Sequence, residues 1–138
     1  MALLTTFHTS NIASLYLTSL LTWAQLPTLI ALNSERLSDS YRLLATTLRS
    51  YSIEFIVPTH GIFLFAKLAR NAKNAKDETA FFDRLAIHGI LVGPGQFYKG
   101  VETEFGWARI RYSLPVPKMQ KVLDHLSAFL VKEGFSVS

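Results

Sequence analysis

The spacing of apolar residues changes along this chain, and each spacing predicts a different element. In NSERLSDSYRLLATTLRSYS, apolar residues recur at steps of three and four and form one stripe, which predicts an amphipathic helix. IEFIV and IFLFAKL are rich in β-branched and aromatic residues, and the turn sequence PTHG separates them. These stretches predict two adjacent strands, Ile53–Val57 and Ile62–Leu68, joined by a short turn.

The second half of the chain shows the same change of period. Asp77 is a candidate cap for the helix of FFDRLAIHG, which Gly89 ends. ILV then predicts a short strand, GPG a turn, and GWARIRYS a further strand. The apolar stripe of KMQKVLDHLSAFLVKEG predicts a last helix. The order helix, two strands, helix, two strands, helix is typical of the α+β class, with helices on one face of a small, mostly antiparallel sheet.

An apolar leader precedes these elements, and no charged residue occurs before Glu35. The leader predicts two helical pieces, Ile12–Trp23 and Pro27–Leu32. Polar residues recur through it, Pro27 interrupts it and no basic residue opens it, so a membrane span or a signal peptide is disfavoured. The predicted division is a leader of residues 1–32 and a domain of residues 33–138. Because the leader is apolar on nearly every side, we expect it to pack against protein.

Composition narrows the possible classes of function. The 138 residues are 49% hydrophobic, which is enough to fill a core and argues against disorder. The formal net charge is only +4 and the basic residues are scattered, which argues against a nucleic-acid partner and weakly favours acidic small molecules. The absence of cysteine excludes disulfides, a thiolate zinc site and a cysteine nucleophile, and we expect a cytoplasmic protein.

Most residues that could carry chemistry have an ordinary structural interpretation. No two histidines have metal-site spacing, so no metal is predicted. The acidic neighbours Asp77–Glu78 and Glu102–Glu104 are expected to be solvated charges in loops. GPGQFYKG matches no phosphate-binding pattern and is expected to form a turn. The four histidines that lack metal-site spacing are His8, His60, His88 and His125.

The strand GWARIRYS carries two arginines on one face. Strand alternation places Arg109 and Arg111 together and turns Ala108 and Ile110 the other way. One interpretation is an edge strand with surface salt bridges, which we favour for Arg111. The other is a guanidinium that binds a carboxylate through two parallel hydrogen bonds, for which Arg109 is the candidate. The spacing alone leaves both interpretations open for Arg109.

Several motifs together resemble a known family. From about Ser10 to Leu130 the chain is similar to the C-terminal small domain of the class I/II, fold-type I pyridoxal-phosphate enzymes, especially the aminotransferases related to aminocyclopropane-carboxylate synthases. The resemblance is carried by NSERLSDSYRLL, PTHGIFLFAKL, FFDRLAIHGILVGPGQFY and GWARIRYS. In that family, the arginine of the G-W-x-R strand binds the α-carboxylate of the amino-acid substrate. The resemblance implies this role for Arg109, with Arg111 as its structural neighbour.

The same resemblance implies that the cofactor half is missing. Family catalysis needs a Schiff-base lysine, an acid for the pyridine nitrogen and a phosphate cup, all on a preceding large domain. No lysine of this chain lies in the serine-rich turn where the family keeps its Schiff-base lysine, because the resemblance starts just after that turn. We therefore expect residues 1–32 to be a remnant of the large domain and pyridoxal phosphate not to be bound by this chain alone. The lysines are Lys67, Lys73, Lys76, Lys99, Lys118, Lys121 and Lys132.

Three functions are compatible with these expectations. The first is a truncated aminotransferase-like protein of biosynthetic origin that keeps the substrate-binding Arg109 and has little activity of its own. The second is a non-catalytic accessory subunit whose apolar leader docks on a biosynthetic enzyme. The third is a small cofactor-independent enzyme that acts on a carboxylated substrate.

Overall fold

The computed structural model describes residues 11–98 and 104–137. His8, Lys99 and Glu102 lie outside these ranges. The chain divides into two compact units, residues 1–35 and residues 36–138.

The described residues form helices and a small antiparallel sheet in the predicted order, so the α+β class is confirmed. The helices are α1 (Asn11–Leu21), α2 (Leu26–Ser50), α3 (Ala75–Ile87) and α4 (Val116–Lys132). The strands are β1 (Phe55–Ile56), β2 (Phe63–Lys67), β3 (Gly93–Pro94) and β4 (Trp107–Arg111). A short 3₁₀ helix, Gly95–Phe97, follows β3.

The first unit contains α1 and the beginning of α2, and most apolar side chains of its described residues, 11–35, are exposed. In α1, Ile12, Leu15 and Tyr16 are 69%, 71% and 78% exposed, and no residue of this helix is buried. No single helix within the described residues is long and apolar enough to cross a membrane. Only α1 and α2 taken together meet that length and composition, and this pair is bent by 76°.

The second predicted leader helix is wrong as a separate element. α2 runs unbroken from Leu26 to Ser50, so the predicted piece at Pro27–Leu32 is the beginning of the amphipathic helix. Pro27 lies in the first turn, where its missing N–H costs no helical hydrogen bond. Neither glycine nor proline occurs between residues 28 and 50, so nothing local ends the helix earlier.

The sheet is antiparallel throughout, with strand order β1-β2-β4-β3. Along its whole length β4 pairs with β2, and on its other side Arg109 pairs with Gly93 and Ala108 with Pro94 of β3. β4 is therefore an inner strand of the sheet, and the interpretation of GWARIRYS as an edge strand is wrong.

The third strand lies later in the chain than the ILV stretch predicts. The Ile90 N–H donates to the Leu85 carbonyl at 3.2 Å, and the Ile90 side chain is buried, so this residue completes the end of α3. β3 is instead Gly93–Pro94, within the GPG sequence that predicts a turn. The turn follows as the 3₁₀ helix, Gly95–Phe97.

The helices of the second unit pack on one face of the sheet. Leu64 and Ala66 of β2 and Ala108 of β4 share this face, and each is at most 1% exposed. The Phe129 ring of α4 lies 5.3 Å, between centroids, from the ring of Phe81 in α3. The core also includes Leu44, Leu48, Leu85, Met119, Leu123, Leu126 and Leu130.

Asn74, and not Asp77 as predicted, caps α3. The Asn74 side-chain oxygen accepts a hydrogen bond from the Asp77 N–H at 3.0 Å, and Asp77 lies in the first turn of the helix.

Near the other end of α3, Arg84 donates two hydrogen bonds to Glu133, at 2.8 and 2.7 Å. These bonds hold the pKa of Glu133 below its usual value and connect α3 to the end of α4.

Glu78 is buried, so the expectation of a solvated acid is wrong at this position. Its side chain is 1% exposed, and its Oε1 accepts a hydrogen bond from the Gly106 N–H at 2.8 Å. The Gly106 carbonyl accepts a hydrogen bond from the Ala69 N–H at 3.1 Å. These two bonds fix the backbone at the residue before β4, and they therefore set where the strand that carries Arg109 begins.

Candidate functional site

The face of the sheet opposite the helices carries the predicted site residue, and we call it the second face. Phe65 of β2 and Gly93 of β3 both pair with Arg109, and paired residues of antiparallel strands share a face. Alternation along β2 and β4 adds further side chains to this face. They are Phe63, Lys67, Trp107 and Arg111.

Arg109 lies among aromatic rings on the second face. Its guanidinium carbon is 4.2 Å from the ring centroid of Phe63 and 4.1 Å from that of Tyr98. The side chain is half-buried, and no carboxylate of the described residues lies within 4.0 Å of its nitrogens. Among the described residues, ring faces and not an acid contact this guanidinium, so its N–H groups can donate hydrogen bonds to a carboxylate ligand.

Arg111 has a different environment, although it lies on the same face. Its side chain is exposed, and its Nε donates a hydrogen bond to the Ser113 hydroxyl oxygen at 2.6 Å. Within the described ranges it forms no salt bridge, so the salt bridge that we favoured for it is not seen. The structure therefore gives different environments to two arginines that strand alternation places on one face.

Tyr98 belongs to the site, although the sequence analysis does not single it out. A Cβ atom added to Gly93 would lie 2.6 Å from the Tyr98 hydroxyl oxygen, so the tyrosine covers the position where a side chain would otherwise project. The Tyr98 ring also meets Phe65 edge-on, with centroids 5.7 Å apart and an angle of 72°. The available signal is the aromatic residue shortly after the GPG sequence, which is informative only once Gly93 is known to pair with Arg109.

Lys67 is a third cation on the second face, and it is engaged. Its ammonium forms an ion pair with Glu104 and lies 5.9 Å from the ring centroid of the buried Trp107. The hydrogen bond from Lys67 holds the pKa of the Glu104 carboxyl below its usual value. Lys67 is therefore not available as a second carboxylate-binding cation in the way that Arg109 is.

The residues of the second face do not fit pyridoxal phosphate. That cofactor needs a lysine for its aldehyde, an acid for its pyridine nitrogen and a cup for its phosphate. Of the described lysines, only Lys67 lies on this face, where it is paired with Glu104. The surroundings of Arg109 are aromatic, which suits a carboxylate-binding cation and supplies none of these cofactor contacts.

Comparison with known proteins shows which proteins this chain is similar to. No model of a known protein family matches the chain. The chain is 32% identical to the probable aminotransferase aclI of Aspergillus oryzae over 133 residues, which cover 96% of this chain and 32% of that protein. The chain is aminotransferase-like. It is also 41% identical to the trimodular acetylaranotin synthesis protein ataIMG of Aspergillus terreus over 87 residues, which cover 63% of this chain and 10% of that protein.

Solved structures support the same fold for the aminotransferase-like chain. The aromatic aminotransferase of Pyrococcus horikoshii superimposes with a TM-score of 0.71 at 14% identity, over 83% of this chain and 30% of that protein. The chain spans about a third of the length of aclI and of this structure. The fold of this chain and its similarity to aminotransferases are therefore shown over about a third of the length of those proteins, and the predicted resemblance is confirmed.

Proposed function

We propose that this aminotransferase-like chain provides the substrate-carboxylate site of a protein of fungal biosynthesis. Arg109 binds the carboxylate of an amino-acid-like substrate. Aminotransferases use pyridoxal phosphate for the chemistry itself, and we propose that this chain alone neither anchors that cofactor nor carries out transamination. The role is thus one of substrate recognition.

The observation that carries the proposal is the environment of Arg109. Its guanidinium lies within 4.2 Å of two ring centroids and has no carboxylate partner among the described residues. Arg111, two positions away on the same strand face, is exposed and engages Ser113. A half-buried guanidinium without an acid is suited to an anionic ligand, because a carboxylate can accept two parallel hydrogen bonds from it.

Replacing Arg109 by glutamine tests this role. In an NMR titration of the full chain with phenylacetate, we expect Arg109→Gln to weaken binding by roughly tenfold or more, because a hydrogen bond to a charged group contributes about 1.5–3 kcal/mol. Arg111→Gln is the matched control, since it removes the same charge from the same strand, and it should change the affinity by less than about twofold. Phenylacetamide, which lacks the charge, should bind no better to the wild type than to Arg109→Gln. Equal loss in both variants would contradict the assignment.

A second function, that of an accessory subunit, is favoured by the exposed apolar side chains of α1. Ile12, Leu15 and Tyr16 are each more than two-thirds exposed, which is unusual for a helix that faces only water. For this function the partner is a full-length aminotransferase of the aclI kind. Sedimentation velocity of a mixture should then show a complex that Leu15→Lys abolishes. Independent sedimentation of the two wild-type proteins would contradict this candidate.

A further inference from the structure

We propose that Phe63 and Tyr98 are positioning residues, which hold the guanidinium of Arg109 in the conformation that receives the carboxylate. This inference rests on the proposed function of Arg109 and names the side chains that make the arginine competent. Neither aromatic residue needs to touch the ligand for this role.

The two rings that contact Arg109 come from different parts of the chain. In the order β1-β2-β4-β3, Phe63 belongs to the strand on one side of β4, and Tyr98 follows the strand on the other side. Their centroids lie 4.2 and 4.1 Å from the guanidinium carbon, within the distance at which a cation interacts with a ring face. Contacts with two rings restrict the rotamers of the long arginine side chain more than either ring could alone.

The backbone is shaped to admit Tyr98. Gly93 is the β3 partner of Arg109, and its missing side chain leaves the space that the Tyr98 hydroxyl group occupies. Phe65, the β2 partner of Arg109, supports the Tyr98 ring edge-on at 5.7 Å. The tyrosine is therefore held in place by contacts with both residues that pair with Arg109, and its position is coupled to that of the guanidinium.

A fixed guanidinium binds more tightly than a free one because its rotational freedom is lost before the ligand arrives. An arginine that must be ordered on binding loses the conformational entropy of several rotatable bonds at that moment. The rings also replace water around the cation without competing for its N–H groups. The attraction is between the positive charge and the electron-rich faces of the rings. The N–H groups at the edge of the guanidinium thus stay available for the carboxylate.

Four variants test the inference by NMR titration with phenylacetate. We expect Tyr98→Ala and Phe63→Ala each to weaken binding by about two- to tenfold, the effect of ordering one side chain on binding. Gly93→Ala should do the same while keeping every aromatic ring, because its new Cβ would displace Tyr98 from Arg109. Tyr98→Phe, which keeps the ring, should bind like the wild type.

Controls separate positioning from general damage and from failure of the proposed function. Phe97→Ala removes an adjacent aromatic residue that is 72% exposed, and it should leave the affinity unchanged. In Tyr98→Ala, binding of phenylacetamide should also stay unchanged, and the Arg109 Nε–H resonance should move toward the position of a free arginine. If Arg109→Gln weakens phenylacetate binding but Tyr98→Ala and Gly93→Ala do not, the positioning role is wrong and the proposed function stands. If Arg109→Gln has no effect, the proposed function itself is wrong.

Discussion

Gly106→Ala is expected to destabilise the second unit by about 3 kcal/mol or more, a large part of the stability of an ordinary small domain. Gly106 has a φ of +94°, which costs an L-residue with a Cβ atom about 1–2 kcal/mol. The new Cβ would also lie 2.3 Å from the Ala69 carbonyl oxygen, and a backbone atom cannot rotate away as a flexible side chain would. Chemical denaturation of the full chain, followed by tryptophan fluorescence, measures the loss.

Gly61→Ala is the matched control for this prediction. Gly61 has a similar φ of +88°, but no atom lies within 4 Å of the position that its Cβ would occupy. We therefore expect only the conformational cost, about 1–2 kcal/mol, from this substitution. A similar loss in both variants would mean that the approach of Gly106 to Ala69 does not fix the beginning of β4. It would also weaken the argument that Glu78 and Ala69 together place the strand of Arg109.

Phe129→Ala is expected to cost about 3–5 kcal/mol, the usual effect of removing a large aromatic side chain from a well-packed core. Phe129 is 1% exposed, and its ring lies 5.3 Å from both the Phe81 ring and the His88 ring at the end of α3. The substitution leaves a cavity between α3 and α4 beneath the sheet. The free energy of unfolding, from urea denaturation, measures the effect. The same dependence of this free energy on urea concentration is used for wild type and variant.

Val131→Ala on the same helix provides the comparison. Val131 is 59% exposed, so its truncation should change the free energy of unfolding by less than about 0.5 kcal/mol. If the two substitutions had equal effects, the assignment of α4 faces to core and solvent would be incorrect. A difference of the expected size would support helices packed on one face of the sheet.

The order of elements and the strand of Arg109 could be predicted because both depend on local spacing. Alternation along GWARIRYS correctly places Ala108 and Arg109 on opposite faces, and the structure shows that Ala108 is in the core and Arg109 on the second face. Likewise, the three- and four-residue spacing of α4 predicts most of its buried stripe, although Val122, which that spacing also places on the stripe, is 37% exposed. In both elements, the side chains that share one face are only a few positions apart in the sequence.

Contacts between distant residues could not be predicted in this way. Glu78 accepts a hydrogen bond from Gly106, which is 28 positions away, and nothing near the acid in the sequence signals that it is buried. Tyr98 covers Gly93 and approaches Arg109 only because β3 pairs with β4. The ILV stretch predicts a strand from composition, but Ile90 is bound to the end of α3 by its backbone hydrogen bond. The aromatic contacts of Arg109 likewise come from residues that are distant from it in the sequence.

The side-chain Nε–H resonance of Arg109 tests the central claim most directly. We expect a saturable downfield shift of this signal when the full chain is titrated with phenylacetate, because a charge-assisted hydrogen bond forms at the guanidinium. The Arg111 signal should not follow the same saturation curve, and phenylacetamide should shift neither resonance. A saturable shift at Arg111 with none at Arg109 would contradict the assignment of Arg109 as the carboxylate-binding residue.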